Sequence, residues 1–324
     1  MSAVAAAVRR VPPQLWVAYG LTLACLILLA ATASGGLSID RVLRILSNAA
    51  PLGVVAIAQT IVIINRGLDL SVGPVMNLAG IMVAVLSAAP GASLMTTVPL
   101  VILAGIGIGL VNGLLLAYTA IPPLLGTLAT ATIIQGGYSL ITRGQPKGVV
   151  PSELRELADG RVLGLPVSGS LLVFLLVLVV VGVFFSVTVA GRRFYAVGAN
   201  PEAAWLNGVP RRRHTLLAYT ASGGLAALAG ILLIAYSGAP SLTAADSYAL
   251  NSVVAAVIGG AALSGGAGGM IGTFAGVAVL ALLTTVLNSF NVSSPVQAIF
   301  YGAVLIAMLF INGRLAKARG RRRA

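Results

Sequence analysis

Residues 253–287 pass without a single charged side chain, 35 positions in a row. One helix crosses a bilayer with ~20 apolar residues, and no soluble domain needs a longer uncharged stretch. Gly259-Gly260, Gly265-Gly266 and Gly268-Gly269 punctuate the run. It therefore reads as an eighth apolar span, a tight turn over residues 264–269, and a ninth span. Composition agrees with that reading, since 58% of the chain is apolar and 8% is charged, against ~25% charged in a soluble domain.

Further apolar runs cover residues 14–33, 48–64, 73–89, 94–117, 124–141, 168–190 and 214–236, and a tenth ends near Ile311. The first follows Arg9 and Arg10 and has the length of a span rather than of a cleaved leader. The segment up to Ser47, with Asp40, Arg41 and Arg44, reads as an outer loop, and residues 143–167 as the longest external segment, an ordered loop or short helix. The expected fold is all-α: one transmembrane domain over residues 1–324, a polytopic helix bundle of about ten transmembrane helices. With an inner amino terminus, 14 of the 20 basic residues fall on the inner side and 6 on the outer. The positive-inside bias then places both termini in the cytoplasm. The same bias explains the net charge of +13. No basic stripe with interleaved aromatics argues for nucleic acid. A lone cysteine, Cys25, excludes an intrachain disulfide and a Cys-rich metal site.

Two polar segments interrupt this pattern. Residues 191–213 hold Arg192, Arg193, Arg211, Arg212 and Arg213 and spell a short helix. Asn200 caps it, Pro201 suits its first position, Glu202 favours the positive end of the dipole, Gly208 stops it and Pro210 forbids its return. Ala203, Ala204, Trp205 and Leu206 give it apolar surface. Two readings compete: an amphipathic turn on the headgroups anchored by Trp205, or a coupling helix docked into a soluble partner. The second segment runs from Asn65 and Arg66 to Gly73. Gly67 and Gly73 bracket a tight turn, while Asp69 and Ser71 are placed to cap the following helix.

Within the spans, Gly105, Gly109 and Gly113 form a ridge for close helix approach, as do Gly268, Gly272 and Gly276. Gln59, Asn77, Gln135, Asn251 and Asn288 are midspan polar residues, candidates for a solute path or for helix–helix hydrogen bonding. The acidic residues fall in loops or at span ends, which disfavours the ion-coupled secondary transporter kept as the alternative function. The only histidine, His214, sits at the inner edge beside the arginines, which disfavours a protease-like pair with Ser264. The chain has no Gly-rich loop ending in Gly-Lys-Ser/Thr, and its only lysines are Lys147 and Lys317, so it cannot cradle a nucleotide phosphate in the Walker manner.

Three regions together resemble the permease subunits of ATP-binding-cassette sugar importers of the ribose type. One is Gly191, Arg192, Tyr195, Ala196, Val197, Gly198, Asn200, Glu202, Ala203, Ala204, Leu206 and Gly208. The second is Gly67, Asp69, Leu70, Ser71, Val72 and Gly73, where Asn65 and Arg66 replace the usual Gly-Gly. The third is the block from Ala255 through Gly259, Gly260, Ser264, Gly265 and Gly266 to Thr273, joined by Ser293, Ser294, Pro295, Gln297 and Gly302. The resemblance implies a bacterial inner-membrane protein that imports a sugar or similar small polar solute without itself being an enzyme. It implies a second permease copy, a cytoplasmic ATPase that uses ATP and Mg, an extracytoplasmic solute-binding protein, and coupling through residues 200–208. It implies no cofactor bound by this chain.

Overall fold

The computed structural model describes residues 13–32, 38–160 and 167–321. Arg9, Arg10, Arg161 and the side chains from Arg314 onward lie outside what it describes, so the charge count remains an expectation.

Every regular element among the described residues is an α-helix. Helix α1 (Pro13–Thr32) leads to a bent pair, α2 (Ile39–Asn48) and α3 (Ala50–Ile64), which meet at 55°. Pro51 in the first turn of α3 has no N–H to continue the α2 ladder, which accounts for the bend. Here the structure departs from the expected outer loop: residues 39–48 are helical and amphipathic, with the Ser38 hydroxyl accepting from Arg41 N. Then come α4 (Val72–Leu86), α5 (Leu94–Tyr118) and α6 (Pro123–Thr142), the short α7 (Ser152–Asp159) in the expected external segment, and α8 (Gly169–Val187). The arginine-rich island holds α9 (Val189–Ala199) and α10 (Pro201–Leu206), two helices where one was expected. After it come α11 (Arg211–Ser237), α12 (Tyr248–Ile258), α13 (Met270–Ser289) and α14 (Ser294–Arg321).

Five of these helices, α5, α6, α8, α11 and α13, are individually long and apolar enough to cross a membrane, and the bent pair forms a sixth such unit. The protein is a multi-pass membrane helix bundle. Helix α3 is buried on almost all sides and α11 and α13 on most, whereas α6 and α8 expose most of their apolar surface. A helix apolar all round is a membrane span or a buried core element, so α3, α11 and α13 form the centre and α6 and α8 face lipid or another chain. The glycine ridge of α5 lies on α11: Gly105 against Gly223, Gly109 against Tyr219 and Thr220, Gly113 against Leu216. Gly272 and Gly276 likewise meet Ala255 of α12 and Gly259 just past its end, but Gly268 belongs to the preceding turn rather than to that ridge.

The eighth span differs from expectation. Helix α12 has 11 residues, about half of what a bilayer core requires at 1.5 Å per residue. The segment after α11 folds back into the bundle. A β-carbon on Gly73 would sit 2.8 Å from the Ala245 carbonyl oxygen, and Ala245 N donates to Asn77 Oδ1 at 2.8 Å. Buried non-helical backbone is tolerated at membrane depth because protein groups satisfy it.

Candidate functional site

Three segments remote in sequence converge at the end of the bundle that carries Arg66 and Arg192. The last turn of α3, the α9–α10 junction and the turn between α12 and α13 meet backbone to backbone. Gly266 N donates to the Ile64 carbonyl at 2.9 Å, the Arg66 Nε donates to Ser264 O at 2.8 Å, and the Tyr195 hydroxyl donates to Gly268 O at 3.0 Å. Gly265 and Gly266 take φ of +85° and +71°, a left-handed pair that side chains resist. A β-carbon on Gly198 would overlap the Ile64 carbonyl oxygen and lie 2.6 Å from Gly266 N. Glycine at this position lets the three backbones touch.

From that junction projects α10. Asn200 Oδ1 accepts from Glu202 N at 3.1 Å and Ala203 N at 3.0 Å, and Gly208 takes φ +74°. These are the cap and stop read from the sequence. Ala204 is buried against the bundle, while Trp205 and Leu206 are 67% and 73% exposed. Glu202 and Ala203 are exposed beside them. The result is a rigid apolar knob held by its base. His214, expected at the interface, is instead buried: its Nδ1 lies 2.9 Å from Pro210 O and its ring packs edge-on against Phe194.

The Asp69 turn is held as firmly. The Asp69 carboxyl accepts from Ser71 N at 3.0 Å, Ser71 Oγ at 2.6 Å and Ser222 Oγ of α11 at 2.7 Å. Asn112 of α5 donates to Ser71 Oγ at 2.9 Å, and Thr127 of α6 takes Leu70 N at 3.1 Å. With its amide oriented to satisfy both groups, Gln59 donates to the Asp69 carbonyl and accepts from Asp69 N at 3.2 and 3.3 Å. Ser71 was expected to cap α4 through its hydroxyl. It makes no such bond, because that hydroxyl is committed to Asp69. Gly67 packs under the Tyr219 hydroxyl, which donates to Leu68 O at 3.2 Å.

The five midspan polar residues separate. Gln59 and Asn77 are buried within the fold. Asn77 Nδ2 donates to Asp246 Oδ1 at 3.0 Å and to Leu242 O at 2.9 Å, so Asn77 anchors the folded-back segment, on which Asp246 itself stays exposed. Gln135 is exposed on α6, one turn from exposed Thr132 and two from exposed Leu128. Asn251 and Asn288 come together. Both line a cavity of about 390 Å³ between the α2–α3 bend, α12, α13 and α14, at the end of the bundle away from Arg66. Tyr248, Thr284, Gln297 and Tyr301 share its wall, and no lining residue is charged. Its volume falls in the range of small-molecule sites. Gln297 donates to Asn288 Oδ1 at 2.7 Å and the Tyr301 hydroxyl lies 2.7 Å from Thr284 Oγ1. This wall presents ordered donors and acceptors without charge.

Comparison with known proteins follows the same lines. Residues 41–309 match the family model described as branched-chain amino acid transport system / permease component. The ribose import permease protein of Bacillus subtilis is 33% identical over 274 residues, 84% of each chain. That of Haemophilus influenzae is 30% identical over 282 residues, 86% of each chain. An autoinducer 2 import system permease protein of an Enterobacter species is 34% identical over 283 residues, 87% of this chain and 81% of that one. No solved structure gives a significant match.

Proposed function

This chain belongs to the permease-component family matched above, and from that premise we propose that it forms the gate of an ATP-driven importer for a neutral, hydroxyl-rich solute such as a sugar. The observation that carries this reading is the α10 knob, an exposed Trp–Leu pair on a helix capped at both ends and rooted where three core segments meet. Tryptophan-centred apolar patches are typical anchors of protein interfaces. A cytoplasmic ATPase that uses ATP and Mg is the partner that fits, with Asn200, Pro201, Glu202, Ala203, Ala204, Trp205, Leu206 and Gly208 as the coupling element. Replacing Glu202 and Leu206 with arginine is expected to leave the permease inserted and to abolish substrate-stimulated ATP hydrolysis in the reconstituted complex. Normal coupling in that double variant refutes the assignment.

The solute class is argued from the cavity. A zwitterionic amino acid requires charged partners once desolvated, and the lining of the 390 Å³ cavity supplies none. Amides, hydroxyls and tyrosine faces suit a sugar. The relatives whose names specify a ribose or autoinducer 2 cargo support the same choice. A second copy of this chain is expected to pack on α6, whose exposed Leu125, Leu128, Thr132 and Gln135 follow one helical stripe, and a solute-binding protein is expected to dock at the opposite end from the knob.

Alanine scanning separates path from scaffold. Asn251→Ala and Asn288→Ala are expected to lower uptake roughly tenfold, a loss of one hydrogen bond's worth of affinity, without altering assembly. Asn77→Ala is expected to cost about 1–3 kcal/mol of stability by leaving buried groups unpaired. Uptake unchanged in both cavity variants, measured in proteoliposomes, removes the cavity from the path.

A further inference from the structure

A second hollow lies at the α12–α13 turn, at the other end of these helices from the first, and is chemically unlike it. Helix α8 stands away from that turn and leaves a trough of about 600 Å³. Leu178, Val179, Gly182, Val183 and Ser186 recur at helical spacing along one wall. The other wall is largely glycine, Gly259, Gly260, Gly268, Gly269 and Gly272, with Met270 and Ile271. Of these glycines, Gly269 has open space where a β-carbon would stand, while Gly259 and Gly268 pack against neighbouring residues. Val179, Val183 and Ile271 are 59%, 52% and 73% exposed, so the trough opens sideways, toward the membrane.

Its chemistry changes along its length. The α8 wall is apolar until Ser186, with Phe185 its one aromatic member. Immediately beyond, the Arg192 guanidinium donates to the Val187 carbonyl at 3.0 Å, and Arg193 beside it is exposed. Residues 187–201 contain no acidic side chain, and neither does the trough lining. An apolar slot with one cation, Arg192, held just past its end complements a molecule with an apolar chain and an anionic head. Basic pockets between spans on the cytoplasmic side bind anionic headgroups by the same logic.

We infer that this trough is a binding site for an anionic phospholipid, one acyl chain lying along α8 against the glycine-rich wall and the phosphate held at Arg192. The site touches the coupling junction directly. Gly268 forms part of the trough and its carbonyl accepts the Tyr195 hydroxyl, so the lipid braces the turn that α9 and α10 rest upon.

The test uses the full-length chain in mild detergent, incubated with equal amounts of phosphatidylglycerol and phosphatidylcholine and read by native mass spectrometry. Phosphatidylglycerol is expected to be retained at least tenfold over phosphatidylcholine. The Arg192→Gln variant is expected to lose the preference while keeping its elution profile. Gly182→Leu is expected to lose both lipids, since a side chain there enters the trough 3.5 Å from Met270 Cβ without a backbone clash. Should Gly182→Leu fail to fold, the arginine variant alone decides. Equal retention of the two lipids by the wild type, or an undiminished preference in the arginine variant, overturns the inference. So does an intermolecular disulfide formed by Val183→Cys in a Cys25→Ala background, which would give the trough to a second copy.

Discussion

Gly198→Val is expected to abolish uptake and ATPase coupling together and to lower the melting temperature of the purified chain. A β-carbon at this position overlaps the Ile64 carbonyl oxygen, approaches Gly266 N at 2.6 Å and lies within 3.0 Å of the Ile64 carbonyl carbon. All three obstacles are backbone, so no rotamer change relieves them. Forcing a methylene among side chains costs ~1–3 kcal/mol, and a collision between fixed backbones exceeds that range. The segments it would push apart are held by the Gly266–Ile64 hydrogen bond and the Arg66–Ser264 contact. Opening them displaces the base of α10. Gly107→Ala is the matched control: nothing lies within 4 Å of a β-carbon there, and alanine in a helix interior is worth up to ~1 kcal/mol over glycine. Thermal unfolding in detergent and uptake in proteoliposomes containing the ATPase read both effects. If Gly198→Val behaves like Gly107→Ala, the junction does not transmit.

That junction marks the boundary of what the sequence discloses. The ends of α10 were legible because capping is local: Asn200 bonds the N–H groups two and three residues on, and Gly208 adopts a conformation suited to glycine. The α5 ridge was legible because a four-residue glycine spacing specifies one face, although the partner, α11, was not. Four features were hidden. Residues 39–48 carry Asp40, Arg41 and Arg44 and read as a loop, but their charges occupy one side of an amphipathic helix. The folded-back segment ending at Asp246 reads as an ordinary outer connection, because its bonds to Asn77 span more than 160 positions and no local pattern encodes them. Gly198, Tyr195 and Arg66 act through each other's backbones, and only the unusual density of glycine at Gly265 and Gly266 hinted that a close approach was needed. Ser222 and Asn112 looked like ordinary span residues, yet they complete the Asp69 network.

Asp69 provides the sharper separation of chemistry from packing. It is 1% exposed, and its carboxyl ties the turn after α3 to α4 through Ser71 and to α11 through Ser222. Asp69→Ala removes three acceptor contacts at once and strands donors that have no water to turn to. Each buried polar group left unpaired costs about 1–3 kcal/mol, so the variant is expected to be among the least stable single substitutions in the chain and to lose transport. Asp69→Asn tests whether charge matters. The amide oxygen can keep both Ser71 bonds, and its NH₂ can donate to Ser222 Oγ once that hydroxyl rotates, so geometry is preserved while the formal charge is gone. Stability near wild type is therefore expected for Asp69→Asn, with uptake retained. Ser222→Ala, which removes one donor and leaves the carboxyl its other two, should fall between the two. A loss in Asp69→Asn as deep as in Asp69→Ala would mean that the negative charge itself is required, and the reading of this turn as a hydrogen-bonded tie between the three helices would have to yield to an ionic role.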